Sequence, residues 1–174
     1  AVSLSHRTSA VYRASCTPWK GQDLVVKFEP VGADVGHEAA VLSQLRAVAT
    51  AAASCPASIP RVLASGALPK PHDHFHHFLL MQPFGRHLRM GGDEPAGVVC
   101  GVLGDACDAM EYAFCQLNLL HRDISYGNIV VAVTEDARLQ GVLIDWHVAH
   151  PRQEQAHADR ITGTPLFTAH RLFF

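Results

Sequence analysis

The sequence predicts an α+β chain in two parts, a small β-rich first half with one main helix and a second half built on a longer helix. Three observations carry this: short β-rich runs at Val11–Ala14 and Leu24–Phe28, an Ala- and Leu-rich stretch from Val35 to about Ala53, and an apolar-periodic stretch from Ala96 to Gln116. At 174 residues, 48% hydrophobic and 17% charged, the chain is long enough to bury one core and too apolar to be disordered.

The first two runs read as strands joined by a turn at Thr17-Pro18-Trp19-Lys20-Gly21. Ala39, Leu42, Leu45 and Ala49 recur at helical spacing behind Glu38, and Pro56 and Pro60 close that helix. Arg61–Ala64 and His77–Met81 read as two more strands around a Pro- and His-rich loop. His72, His74, His76 and His77 in that loop are solvated by expectation; without a nearby cysteine they make a poor Zn²⁺ site. Gly85, Gly91 and Gly92, between Pro83 and Pro95, mark a hinge, which divides the chain into 1–84 and 85–174. In the long helix, Val99, Val102, Leu103, Met110, Phe114 and Leu117 share one face and are expected to form the second core. Ile129–Val133 and Leu139–Ile144 then form a β-ribbon.

A net charge of −2 offers no basic footprint for nucleic acid, no apolar run approaches the ~18 residues of a membrane span, and residues 1–10 lack a signal-peptide core. Cys16, Cys55, Cys100, Cys107 and Cys115 include no Cys-x-x-Cys pair. They read as reduced, small core residues of an intracellular protein, cytoplasmic or nuclear.

The chemistry concentrates in His121-Arg122-Asp123-Ile124-Ser125-Tyr126-Gly127-Asn128. An acid and an amide at this separation divide two tasks at one phosphate: Asp123 to accept a hydroxyl proton, Asn128 to coordinate a metal ion. Asp145 follows the apolar run Val142-Leu143-Ile144 and so brings a second metal-binding carboxylate to a strand end. With Lys27 after Leu24-Val25-Val26, Glu38 on a helix, and Gly163-Thr164-Pro165-Leu166-Phe167 near the end, these motifs stand in the order of a kinase.

The chain thus resembles the protein kinase superfamily, and HRDISYGN, LIDW and TGTPLFTA look most like the fungal-type protein kinase domain. The resemblance implies a kinase N-lobe with hinge over 1–84, and over 85–174 a partial C-lobe with catalytic loop, metal loop and activation segment. It implies ATP and Mg²⁺ as cofactors, a phosphate-binding Lys27 paired with Glu38, and a catalytic Asp123. It also implies metal ligation by Asn128 and Asp145, and a base pocket walled by Met81 with backbone contacts from Gln82 and Phe84. His121 is expected to be structural, and Arg122 to meet the activation segment or a carboxylate. Gly163, Thr164 and Pro165 imply docking of a protein substrate whose Ser or Thr hydroxyls accept the phosphate.

Four departures accompany the resemblance. Leu4–Val11 lacks the glycines of a phosphate-covering loop, Ser125 stands where many Ser/Thr kinases have Lys, His147 replaces the Gly of the metal loop, and Thr168-Ala169-His170 replaces Ala-Pro-Glu. They motivate two alternatives: a pseudokinase that binds or scaffolds without turnover, and a small-molecule kinase of the aminoglycoside or choline type, in which Ile-Asp-Trp is common. The missing initiator Met and the apolar Leu172-Phe173-Phe174 end point to a fragment, or to a partner or further segment that completes the second lobe.

Overall fold

The computed structural model describes residues 9–15, 23–30, 36–49, 54–72, 75–89 and 94–152. Strands β1 (Ala10–Ala14), β2 (Leu24–Pro30), β3 (Arg61–His72) and β4 (Phe75–Gln82) form an antiparallel sheet in the order β1-β2-β4-β3. Helix α1 (His37–Ala47) packs beside it. Gly36, at φ 79, occupies a backbone region that L side chains rarely adopt. Its carbonyl accepts the Ala40 N–H to open the helix, and its own N–H donates to Glu29. The helix buries Ala39, Val41, Leu42 and Leu45, as its spacing predicts, but it stops at Ala47 and leaves Ala49 exposed beyond the end. Residues 50–53, also assigned to the helix from sequence, lie outside the described residues.

The Pro- and His-rich segment is not a plain loop: β3 runs through Pro69 and Pro71 to His72. Proline removes a ladder donor, which an edge strand tolerates, and β3 is at the edge; its register with β4 shifts between Ala67 and His72, around those prolines. The side chain of His77 is committed to Glu29, with Nδ1 3.0 Å from Oε2.

In the remaining chain β5 (Gly85–His87) pairs with β7 (Ile129–Val133), which pairs with β8 (Leu139–Leu143). The stretch assigned to a hinge therefore begins with a strand. Helix α2 (Ala96–Leu117) lies against β8 and ends at Asn118, which is left-handed at φ 52 and whose N–H donates back to Phe114. A short pair, β6 (Leu119–Leu120) with β9 (His150–Pro151), brings the chain after the Trp146–Val148 turn back to the end of α2, where the Arg152 N–H donates to the Asn118 carbonyl.

The buried face of α2 corrects the periodicity reading. Val102 is buried and Val99, Met110 and Leu117 pack against the core as predicted, but Ala106, Ala109, Tyr112 and Ala113 complete the buried face, whereas Leu103 and Phe114 are each 40% exposed. Cys55 is half-buried and packs against the core, but Cys100, Cys107 and Cys115 are exposed, so the three cysteines of the helix do not build the core. The cause is close approach. A methyl group on Gly141 would lie 2.3 Å from the Val102 carbonyl oxygen, so the α2 backbone comes directly onto β8 there, and Asp105 fixes the contact by accepting the Gly141 N–H at 2.7 Å. Gly141→Ala is therefore expected to cost about 3 kcal/mol of folding stability, read as a lowered urea midpoint at unchanged slope. A variant within about 0.5 kcal/mol of the parent would contradict this packing.

Core residues of α1 (Leu42, Leu45), β4 (Leu79, Met81), α2 (Val102, Ala109) and the metal-loop Trp146 belong to one continuous cluster. That cluster is the platform on which the polar groups of the site are held.

Candidate active site

Lys27 lies on β2 opposite Leu79 of β4, and Val25 lies opposite Met81. Alternation along a strand therefore puts Lys27, Val25 and Met81 on one face of the sheet. Lys27 is 7% exposed and its Nζ donates to two carboxylates, Glu38 Oε2 and Asp145 Oδ1, each at 2.6 Å. Burial pushes its pKa down, but the adjacent charges and hydrogen bonds of Glu38 and Asp145 outweigh burial and hold it above the ordinary lysine value.

Glu38 is 1% exposed and fully used: Oε2 takes Lys27 while Oε1 accepts the Trp146 N–H at 3.0 Å. One carboxylate thus ties α1 to the strand lysine and to the turn that follows Asp145. Asp145 caps that 3-10 turn (Trp146–Val148) with φ 68 and ψ 57. The indole N–H of Trp146 donates to Leu143, and its ring stacks edge-on with His121 at 4.7 Å. Burial raises the Asp145 pKa, yet the hydrogen bond from His147 and the charge of Lys27 hold it below the usual carboxylate range. The Asp145 hydrogen bond raises His147 in turn, against a smaller opposing effect of burial.

Asp123 and Asn128 form the second group. The Asn128 amide nitrogen donates to the Asp123 backbone carbonyl at 2.8 Å and to its Oδ2 at 2.9 Å. Both amide protons are spent there, which turns the Asn128 carbonyl oxygen away from Asp123 as a donor atom for a cation. The two groups are joined through the Ile144 backbone, whose N–H donates to the Asn128 carbonyl at 2.9 Å and whose oxygen lies 3.0 Å from His121 Nε2.

The tautomer of His121 follows from its neighbours. Nδ1 accepts the Asp123 N–H at 3.3 Å, so the proton sits on Nε2 and is donated to the Ile144 carbonyl. Burial pushes the His121 pKa down to about 4, so the ring is neutral at pH 7. The unfolded chain takes up that proton near 6.5 and the folded one near 4; stability from this site is complete above about pH 6.5 and is lost as pH falls toward 4. The loss from pH 7 to pH 5 is about 2 kcal/mol. His147, shifted upward, acts in the opposite sense. Urea titrations at the two pH values isolate His121 when the parent is compared with His121→Gln, whose pH dependence is expected to be flatter; equal slopes would contradict the assignment.

The structure therefore brings Lys27, Glu38 and Asp145 into direct contact, and Asp123 and Asn128 into direct contact one hydrogen-bonded backbone away. Met81 is buried on the Lys27 face, and the ring of Phe84 lies beneath the Arg13 guanidinium at 5.0 Å. Gln82 ends β4 opposite Arg61. Gly163, Thr164 and Pro165, most of Leu4–Val11, and Thr168–His170 lie outside the described residues. Three contacts had no sequence signal: Trp146 N–H to Glu38, His147 to Asp145, and Arg13 over Phe84. Each depends on where the chain brings separate groups together, which no local pattern states.

Among the described residues no three His, Cys, Asp or Glu side chains converge as a metal cluster. The donor set is one carboxylate and one amide oxygen. That suits a hard cation which completes its shell with phosphate oxygens and water, as Mg²⁺ does at nucleotide sites. A strand lysine of the first sheet clamped by a helix glutamate, together with an acid–amide loop and a strand-end aspartate that flank β7 and β8 of the second, define the class: a kinase-like phosphotransferase domain. The chain belongs to the fungal protein kinase family, whose model matches residues 5–173. No curated protein matches the sequence significantly. Its fold is the α+β, β-rich kinase type expected from the sequence. No helix among the described residues is long and apolar enough to cross a membrane.

Proposed function

We propose that this chain transfers the terminal phosphoryl group of ATP to Ser or Thr hydroxyls of proteins. The observation that carries the proposal is the Lys27–Glu38–Asp145 ion-pair cluster, joined through Ile144 to the Asp123–Asn128 pair. Residues 1–84 serve as the nucleotide-covering lobe and hinge, and 85–174 as the lobe with the catalytic loop. Met81 walls the base, and the backbones of Gln82 and Phe84 supply its polar contacts. Lys27, held charged by its two carboxylates, binds phosphate oxygens, and Glu38 fixes where its ammonium points. Asn128 and Asp145 would hold Mg²⁺, which would compensate phosphate charge. Asp123, oriented by the Asn128 amide, takes the proton from the acceptor hydroxyl as its oxygen attacks the γ-phosphorus and ADP leaves.

The protein acceptor is supported by the family and by Gly163-Thr164-Pro165, which resembles a segment that docks a peptide next to the catalytic acid. The test is transfer of labelled phosphate from Mg²⁺-ATP to a Ser/Thr peptide library, a protein mixture, and a panel of amino alcohols and aminoglycosides. Label on Ser or Thr of peptides is expected. Label confined to amino alcohols or aminoglycosides would replace the protein acceptor by a small molecule, and nucleotide binding without transfer to any acceptor would identify a pseudokinase.

A further inference from the structure

Two residues after Asp145, where a kinase metal loop ordinarily carries Gly, stands His147. Its Nδ1 is 2.8 Å from Asp145 Oδ1, the oxygen that also receives Lys27. The imidazole is not on a loose loop. Its turn is pinned by the Trp146 N–H on Glu38, the Trp146 indole on Leu143, and the Ala149 N–H on Trp146. With the ring side chain 45% exposed, the space beside it is open to an incoming ion.

Two donor atoms on adjacent corners of an octahedral cation, each about 2.1 Å from it, stand about 3 Å apart. Asp145 Oδ1 and His147 Nδ1 already have nearly that separation, so a cation seated beside the line between them requires the imidazole to turn its Nδ1 lone pair from the carboxylate toward the ion, without the two donor atoms moving apart. Resting on the proposed function, in which Asp145 and Asn128 hold the nucleotide's divalent cation, we infer that His147 is a nitrogen ligand of that same cation and makes the site prefer Mn²⁺ to Mg²⁺. Mg²⁺ favours oxygen donors and gives up water reluctantly, whereas imidazole suits first-row transition ions. One carboxylate oxygen, one amide oxygen and one imidazole nitrogen leave three octahedral positions for phosphate and water.

The experiment uses the full chain and Mn²⁺ alone, without nucleotide, so that adenine nitrogen cannot contribute. Free Mn²⁺ is counted by electron paramagnetic resonance, and directly bound nitrogen is read from ¹⁴N modulation of the spin echo. A Mn²⁺ that disappears in Asp145→Asn is expected to show ¹⁴N coupling in the parent and none in His147→Gly or His147→Gln. His147→Gln offers an oxygen in place of the nitrogen and guards against a folding defect peculiar to glycine. His147→Gly is expected to weaken Mn²⁺ binding about tenfold and Mg²⁺ competition less than about twofold. Asp145-dependent Mn²⁺ without ¹⁴N coupling, or an unchanged Mn²⁺ to Mg²⁺ preference, would overturn the role of His147 and leave the metal site standing. Mn²⁺ binding that depends on neither Asp145 nor Asn128 would overturn both.

Discussion

Asp123→Asn is expected to lower phosphoryl transfer by about 10²–10⁴-fold while leaving nucleotide affinity and folding nearly unchanged. The substitution keeps size and removes the one group in the loop able to take the hydroxyl proton. Asp123 is positioned, not merely present: its Oδ2 receives the Asn128 amide at 2.9 Å and its N–H is anchored on His121. An amide at position 123 can still turn its oxygen toward Asn128, so the loop geometry survives. The measurement is a single-turnover rate beside an equilibrium titration with a non-hydrolysable ATP analogue. Loss of rate with affinity within about twofold assigns proton transfer or acceptor orientation to Asp123. A rate within about threefold of the parent would remove Asp123 from the chemistry.

Glu38→Leu is expected to destabilise the fold by about 3–5 kcal/mol, more than any other single change in the cluster. The carboxylate is 1% exposed and serves two donors from different elements, Lys27 and the Trp146 backbone. Removing it strands a buried N–H and leaves the ammonium with Asp145 alone, whose side chain is 32% exposed. Glu38→Gln, which keeps an oxygen for Trp146, is expected to cost less. Lys27→Met combined with Glu38→Leu is expected to be more stable than Glu38→Leu alone, because the buried ammonium is gone and the partly exposed Asp145 keeps His147 as a partner. Urea denaturation of the parent, both single variants and the double variant closes the cycle. Additive costs would show that Lys27 and Glu38 do not act as a pair.

The family was legible because its motifs are short and nearly contiguous. His121–Asn128 and Ile144–His147 are readable without knowing the fold, and their order with Lys27 and Glu38 pointed to a kinase. The strands of the first sheet and both helices were also legible, since β-branched runs and helical spacing are local signals. Packing was not. The apolar count on α2 favoured Leu103 and Phe114, but the face that meets β8 is set where Gly141 lets the helix backbone approach at Val102. That selection is made by a residue remote in sequence, so no periodicity on α2 contains it. The later part of β3, beyond Ala64, passed for a loop because Pro69 and Pro71 read as breakers, and only its place at the sheet edge makes them tolerable. β5 hid inside a glycine-rich stretch because three residues carry no pattern, and its pairing with β7 spans a long separation.

The central claim is that Lys27 and Asp145 serve one nucleotide site while Asp123 acts on the acceptor. Calorimetric titration of a Mg²⁺-bound, non-hydrolysable ATP analogue into the parent, Lys27→Met, Asp145→Asn and Asp123→Asn tests it most directly. Binding by the parent, weakened at least about tenfold by each of the first two changes and less than about twofold by the third, is the predicted result. Equal affinity in all four proteins would contradict it.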